Sequence, residues 1–171
     1  MNTTAPEFSR PVTLARIGSE RFTQVISATP AECEALARRF GLLSLDRLTA
    51  SVELSRRQQE TILLQATFEA EFVQCSVVTL DPVPGRVSEQ FSLRYGPPAT
   101  EQLFAGEIGE ENQAFEPLDG EAIDIGEAVA QEFSLALPQF PREPDATAEF
   151  DPEPALPESA FAALVALRPK P

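Results

Sequence analysis

The chain has 171 residues, of which 43% are hydrophobic, and it carries a net charge of −14 and no histidine. This length fits one domain of ordinary size with tails, and no apolar run approaches the roughly 18 residues that span a bilayer, so we expect no membrane partner. Without histidine the chain lacks the usual general base at neutral pH and the commonest metal ligand, which excludes Ser-His and Cys-His nucleophiles and leaves any enzyme dependent on carboxylates or lysine. We expect no catalytic residues, no metal, no cofactor and no small-molecule substrate.

The first forty residues predict two short strands followed by a helix. The N-terminus, MNTTAPEFSRP, has neither the basic nor the apolar region of a signal peptide, which indicates a cytoplasmic protein. Apolar residues alternate in part over residues 8–17 and 21–28, and Pro11 suggests that the first strand is an edge. Thr29-Pro30-Ala31-Glu32 has the arrangement of a capping box, and Gly41 suits a left-handed C-cap. A helix is therefore predicted from residue 30 to residue 40.

The middle of the chain predicts a long antiparallel hairpin. Apolar residues alternate with polar ones over residues 45–54 and again, without interruption, over residues 62–72. Such alternation is typical of strands with one buried and one solvated face, as in an antiparallel sheet. We expect these two strands to pair with each other.

The strands that follow complete a meander. The second strand is predicted to continue to Leu80, where Asp81-Pro82 and Pro84-Gly85 break it. A further strand is predicted over residues 87–95. Residues 97–113 are acidic and poor in apolar side chains, which favours a mobile excursion over a core element.

The C-terminal third predicts a turn, a helix, a linker and a second helix. A turn is expected at residues 118–120, and Asp124 with Glu127 forms a second capping box before a helix that ends before Pro138. Five prolines within residues 141–157 indicate a flexible or extended linker. A short terminal helix over residues 157–167 needs a surface on this domain or on another protein to persist. Its docking residues are Phe161, Leu164 and Leu167.

Together these elements predict an α+β fold. We expect an antiparallel β-meander, either a sheet or a partly open barrel, with two packed helices and a short C-terminal helix on a proline-rich linker. The predicted organisation is a single domain over residues 1–140, the linker over residues 141–156 and the docking helix over residues 157–171.

Few side chains are candidates for chemistry. Carboxylate pairs could act as acid and base if burial separated their pKa values, but a solvated strand face explains one pair and helix capping another. Cys75 has neither a histidine to activate it nor a cysteine at position 78, where Val78 stands. It is therefore predicted to be a buried thiol of the sheet. The carboxylate pairs are Glu69 with Glu71, Glu110 with Glu111, and Asp124 with Glu127.

Charge is distributed unevenly along the chain. Residues 1–60 hold eight arginines and seven acidic residues, whereas residues 61–171 hold 20 acidic and five basic ones. The negative second half repels phosphates and attracts basic proteins. The arginines of the first half could contact RNA phosphates if they lie on one side of the fold; otherwise the pair at the helix end complements the helix dipole. These RNA-contact candidates are Arg38, Arg39, Arg47, Arg56 and Arg57.

Several sequence blocks carry a family resemblance. They read VQCSVVTLDPV at residues 73–83, FSL at 91–93, EPL at 116–118, IDIGE at 123–127 and LALP at 135–138, the last followed by Pro141-Arg142. In this order they resemble the bacterial YceD family, also called large ribosomal RNA subunit accumulation protein. Within that family the chain resembles a member of alphaproteobacterial type. The signature residues are Gln74, Cys75, Thr79, Leu80, Asp81, Pro82, Asp124, Gly126 and Glu127.

The resemblance implies a non-enzymatic factor in the synthesis, processing or stability of 23S ribosomal RNA. Many members have Cys-x-x-Cys where this chain has Cys75 and Val78, so metal binding is not carried over. We hypothesise an accessory factor in large-subunit assembly that binds a basic ribosomal protein or assembly factor. The alternatives are direct binding of 23S rRNA through the arginines and a carboxylate-dependent enzyme of unknown substrate.

Overall fold

The computed structural model of the chain describes residues 6–18, 20–58, 60–98, 114–118 and 120–144. In this part of the chain, seven strands and two α-helices follow one another. They are β1 (Pro11–Thr13), β2 (Phe22–Ser27), α1 (Pro30–Phe40), β3 (Ser44–Arg56), β4 (Ile62–Cys75), β5 (Pro82–Gly96), β6 (Ala114–Pro117), β7 (Ala122–Asp124) and α2 (Ile125–Ala136).

A five-stranded sheet in the order β2-β3-β4-β5-β6 forms the centre of the fold. Its first four strands are an antiparallel meander, and the predicted hairpin is confirmed, with Leu54 opposite Leu64. β2 and β6 are the edge strands in the described residues. The sequence did not predict β6, which pairs parallel to β5 with Ala114 opposite Leu93. Four residues are too few for a sequence pattern to reveal such a strand.

A small second sheet pairs β1 with β7. The predicted first strand is shorter than expected, because a single 3-10 turn over Leu14–Arg16 follows β1 directly. This sheet holds the N-terminal segment against the start of α2, where the Ile125 N–H donates to the Arg10 carbonyl at 3.2 Å.

Helix α1 has the bounds that its local signals predict. The Thr29 hydroxyl accepts the Glu32 N–H, the Glu32 carboxylate accepts the Thr29 N–H, and Pro30 occupies the first helical position. Gly41 closes the helix with a φ of 67°, the left-handed conformation that glycine adopts without strain.

The exit of β4 differs from the prediction. The strand ends at Cys75, five residues earlier than expected, because the Ser76 hydroxyl accepts the N–H groups of Val78 and Thr79 and closes a turn. Pro84-Gly85, predicted to break the chain, instead lies inside β5. Proline is tolerated there because β5 has an open outer edge at this end.

Both helices pack on one face of the sheet. The fully buried ring of Phe133 in α2 makes edge contacts with Phe40 of α1 and with Phe68 and Phe72 of β4, at centroid distances of 5.8, 6.3 and 5.7 Å. Edge-to-face rings at such distances stabilise one another beyond the area they bury. The aromatic cluster therefore fixes α2 against both α1 and the sheet.

The opposite face of the sheet is polar. Glu69 and Glu71 lie on it, half exposed, as the strand alternation predicts. Arg47 approaches Glu71 at 2.9 Å and Arg86 approaches Glu69 at 3.4 Å, so a four-residue ion-pair network crosses three strands. Exposed pairs of this kind contribute little stability each.

The predicted linker over residues 141–156 and the docking helix of residues 157–171, with Phe161, Leu164 and Leu167, lie outside the described residues apart from positions 141–144. Most of the predicted excursion over residues 97–113 does so as well. Their organisation stays a prediction.

Candidate functional site

The five candidate RNA-contact arginines do not form one patch. Arg38 and Arg39 lie at the end of α1, and Arg47 lies near the start of β3. Arg56 is the last residue of β3, nine positions beyond Arg47, which corresponds to about 30 Å at the rise of an extended strand. Arg57 follows it. The cluster seen in the sequence is therefore divided between opposite ends of the sheet.

Most of these arginines already have partners in the fold. Arg39 makes a bidentate pair with Glu127 at 2.7 and 3.0 Å and also contacts Glu7, and the hydrogen bonds to Glu127 raise its pKa. Arg56 donates to the carbonyls of Ile17 and Leu14. In the remaining pairs, Arg38 lies 3.6 Å from Glu34 and Arg47 lies 2.9 Å from Glu71.

All five candidate arginines are exposed, and Arg57 differs from the other four because its side chain has no hydrogen bond or ion pair with another described residue. Together with Arg56, Gln58 and Arg94 it lines a surface depression of about 550 Å³ at the far end of the sheet. Three of the four residues that line it are arginines.

The signature residues near α2 join the N-terminal segment to that helix. The Asp124 carboxylate accepts the N–H groups of Gly126 and Glu127 at 3.1 Å each, which caps α2 and confirms that half of the predicted capping box. It also accepts the Arg10 N–H at 2.7 Å and the Ser9 hydroxyl. Four hydrogen bonds thus converge on one carboxylate, and capping is only half of its role.

Gly126 and Glu127 complete this joint. A Cβ on Gly126 would lie 2.1 Å from the Phe8 carbonyl oxygen, so only glycine permits the approach of the two backbones. The Glu127 carboxylate bonds to Arg39 of α1 instead of returning to the cap. Beside it, Arg10 forms two hydrogen bonds with Glu32, and these lower the Glu32 pKa to about 2. This signature block is structural.

The other signature block forms an exposed turn at residues 76–81, here termed the signature turn. Cys75, which precedes it, is exposed, so the prediction of a buried thiol is wrong. The pleat explains the error, because Cys75 has the same parity as Glu69 and Glu71 and therefore lies on the polar face. Its Sγ lies 3.4 Å from the Leu80 carbonyl oxygen.

Leu80 is the unusual residue of the signature turn. Its φ is 65°, a left-handed conformation that is costly for a leucine, and its side chain is 75% exposed. Val77 is exposed in the same turn, and its N–H donates at 2.9 Å to the carbonyl of Pro141, the residue that follows the exposed Phe140. The signature turn therefore presents the apolar side chains of Val77 and Leu80 to solvent, with the backbone at Leu80 in a costly conformation.

Replacing Leu80 with glycine is expected to raise the free energy of unfolding by about 0.5–1 kcal/mol, since glycine adopts this φ without strain. Urea denaturation measures the change. Leu80→Ala is the matched control, because it removes the exposed side chain but keeps the Cβ and the strain. An equal gain in both variants would assign the effect to the lost apolar surface.

A groove lies between β5 and α2 on the helix side of the sheet. It has a volume of about 280 Å³, and its lining combines apolar residues with two glutamates. We term it the acidic groove, and its lining includes Phe68, Glu89, Phe91, Glu132, Leu135 and Ala136.

In the described part of the chain, the two glutamates of the acidic groove have no counterion. Burial, reinforced by the neighbouring Glu116, raises the pKa of Glu132. Burial together with Glu116 and Glu132 likewise raises the pKa of Tyr95. Among the described residues, no arginine pairs with Glu89 or Glu132. The groove therefore favours the approach of a cation.

Sequence reasoning missed the acidic groove, although one signal for it exists. Glu132 stands on the apolar stripe of α2 together with Ala128, Val129 and Phe133, where an apolar residue is expected. A glutamate in such a stripe indicates either a polar function or a position at the exposed edge of the apolar face. Its proximity to Glu89 follows from tertiary packing alone.

The described residues contain no group of three or more Cys, Asp or Glu side chains placed to hold a metal ion. No helix in that part of the chain combines the length and apolar character needed to cross a membrane.

Comparison with known proteins gives one family match. Residues 64–164 match the model of a family described as large ribosomal RNA subunit accumulation protein YceD. The match covers more than half of the 171 residues and includes both signature blocks. No curated protein and no solved structure matches the chain.

Proposed function

Because the chain belongs to the YceD family of large ribosomal RNA subunit accumulation proteins, we propose that it is a non-enzymatic accessory factor in 23S rRNA synthesis, processing or stability. It acts in the cytoplasm during assembly of the large ribosomal subunit. The family match over residues 64–164 is the observation that carries this proposal.

The factor acts by binding a basic ribosomal protein or assembly factor. Its net charge of −14 repels the phosphate backbone and speeds encounters with a basic partner. Four of the five candidate RNA-contact arginines bond to acceptors within the fold. Each of these arginines would have to break those bonds to bind a phosphate. This cost favours a protein over RNA as the binding partner.

Direct rRNA binding is the second candidate function. One observation favours it, namely the depression that Arg56, Arg57 and Arg94 line at the far end of the sheet. A carboxylate-dependent enzyme is a third candidate function, and the acidic groove is the surface that comes nearest to an active site for it. Two glutamates beside apolar side chains define no substrate class, so we propose no reaction.

Depletion of the protein is expected to lower the ratio of 23S to 16S rRNA, because unassembled large-subunit RNA is degraded. RNA gels or sequencing read the ratio, and re-expression of the wild-type chain restores it. A ratio that stays unchanged on depletion contradicts the proposed function.

Co-purification separates the two modes of binding. Pulling down the tagged chain after ribonuclease treatment is expected to recover a ribosomal protein. Recovery of 23S fragments without any ribosomal protein would instead favour direct RNA contact, and an Arg57→Gln variant would then reduce that recovery and its salt dependence.

A further inference from the structure

Among the described residues, much of the outer edge of β5 has no neighbouring strand. β6 pairs only with the last residues of β5, from Leu93 to Gly96. Along residues 82–92, no strand lies on the outer side of β5 in the part of the chain that the structure describes. An open edge presents backbone N–H and C=O groups that can pair with an added strand.

The hydrogen-bond pattern identifies the groups that point outward. The Ser76 N–H donates to the Asp81 carbonyl, so odd-numbered residues of β5 bond to β4 and even-numbered residues direct their backbone groups away from it. At the other end of β5, the outward carbonyl of Gly96 accepts the Leu118 N–H, which agrees with this parity.

Proline protects one end of the edge but not the other. Pro82 and Pro84 occupy outward positions and have no N–H to offer, a usual protection of edge strands. From Arg86 to Ser92 there is no proline or glycine. Ser88 and Gln90 therefore present outward N–H and C=O groups in an unprotected stretch of seven residues, 86–92.

The acidic groove lies beside this stretch on the helix side. The register places Glu89 opposite Phe68 and Phe91 opposite Ala66, so both β5 side chains face the helices. Glu89 and Glu132 both line the acidic groove, and Phe91 and Leu135 supply its apolar surface. A strand added to β5 would place every second side chain into a site that combines negative charge with apolar contact.

The chain's own residues outside the described part suit this site poorly. Residues 109–113, which precede β6, are Gly-Glu-Glu-Asn-Gln, types depleted in strands and negative where the groove is negative. Residues 143–167 contain six acidic residues and no basic one. Only Arg168 and Lys170, at the end of the chain, have the required charge.

We propose that an extended, basic segment of a partner protein adds as a strand to residues 86–92 of β5, with its alternate side chains in the acidic groove. The identity of that partner as a ribosomal protein rests on the proposed function. The surface itself requires only a basic, strand-forming segment.

Amide hydrogen exchange followed by NMR tests this pairing. The probe is a seven-residue peptide of alternating lysine and valine, and its glutamate–valine counterpart is the control. We expect the lysine peptide to slow exchange at the outward amides of Ser88, Gln90 and Ser92 at least tenfold. The amides of Val87 and Phe91, already bonded to β4, provide the internal reference.

Two pairs of variants separate backbone pairing from charge. Ser88→Pro removes an outward N–H as Pro84 already does, and it should weaken peptide binding about tenfold or more, whereas Ser88→Ala should not. The double variant Glu89→Lys/Glu132→Lys should weaken binding about 100-fold, roughly tenfold for each reversed charge. Its control, Glu20→Lys/Asp46→Lys, makes the same change of net charge at exposed positions outside the groove.

Three results would overturn the proposal. Outward amides that are already protected in the free chain would show that its own residues cover the edge. Equal binding of the two peptides would remove the role of charge, and binding that Ser88→Pro leaves intact would remove strand addition. Any of these outcomes can occur together with a lowered 23S to 16S ratio on depletion. The peptide experiments therefore test the strand-addition proposal, and the depletion experiment tests the proposed function separately.

Discussion

Replacing Gly126 with alanine is expected to lower the free energy of unfolding by about 3 kcal/mol or more, as other substitutions that force a steric conflict in a packed interior do. A Cβ at this position would lie 2.1 Å from the Phe8 carbonyl oxygen and 3.1 Å from the Arg10 nitrogen. Both are backbone atoms, so neither can turn aside as a side chain would. The N-terminal segment would have to move away from α2, and urea denaturation followed by circular dichroism measures the loss.

Gly120→Ala is the matched control for this prediction. No atom lies within 4 Å of a Cβ built at Gly120, so the same chemical change meets open space. That variant should be neutral or slightly stabilising, because alanine restricts the unfolded chain. If both variants lost the same small amount, the contact between Gly126 and the N-terminal segment would not be a rigid feature of the fold.

The sequence predicts the elements that meet between the N-terminal segment and α2, but not the contacts between them. The cap at Asp124 was predictable because a capping side chain bonds to residues two and three positions ahead. The two other bonds of Asp124 come from Ser9 and Arg10, more than 110 residues away. No local pattern encodes such a separation, and the same holds for the Glu127 pair with Arg39.

Helix α1 and the central hairpin were predictable for a related reason. Their determinants are local, since capping at Thr29, the left-handed Gly41 and the alternation of β3 and β4 all act within a few residues. β6 and the pairing of β1 with β7 depend on contacts between distant segments of three or four residues. Such segments are too short for a hydrophobic period to emerge.

The candidate site shows the same limit. The arginines were grouped by proximity in sequence, yet an extended strand of 13 residues carries Arg47 and Arg56 to opposite ends of the sheet. The error at Cys75 has another origin, because the parity of the strand already assigned it to the polar face with Glu69 and Glu71. The general preference of cysteine for burial predicts a buried thiol, and in this strand the alternation is the stronger determinant.

The signature turn and the acidic groove lie at different places along β5. The turn ends where Pro82 begins the strand, and the open stretch of residues 86–92 follows the two outward prolines. Pro82, a signature residue, thus closes the turn and protects the first part of the edge. A partner strand is thereby confined to the stretch beside α2.

Replacing Phe133 with alanine is expected to cost about 4 kcal/mol, in the usual range for a fully buried phenylalanine. The ring is fully buried and contacts three other rings, Phe40, Phe68 and Phe72, so its removal leaves a cavity at the junction of α1, α2 and the sheet. Because Phe133 holds α2 in place, the wall of the acidic groove should loosen as well. Urea denaturation measures the first effect, and binding of the lysine–valine peptide measures the second.

Two controls assign the effect to the aromatic cluster. Phe133→Leu keeps most of the apolar volume and should cost about 1.5 kcal/mol or less. Phe140→Ala makes the same truncation at a side chain that is 76% exposed, and it should change stability by no more than about 0.5 kcal/mol. A Phe133→Ala variant as stable as Phe140→Ala would contradict the central role of the ring. Since Phe133→Leu retains the position of α2, it should also bind the peptide as the wild type does. This comparison distinguishes an effect on the wall of the acidic groove from an effect on core volume.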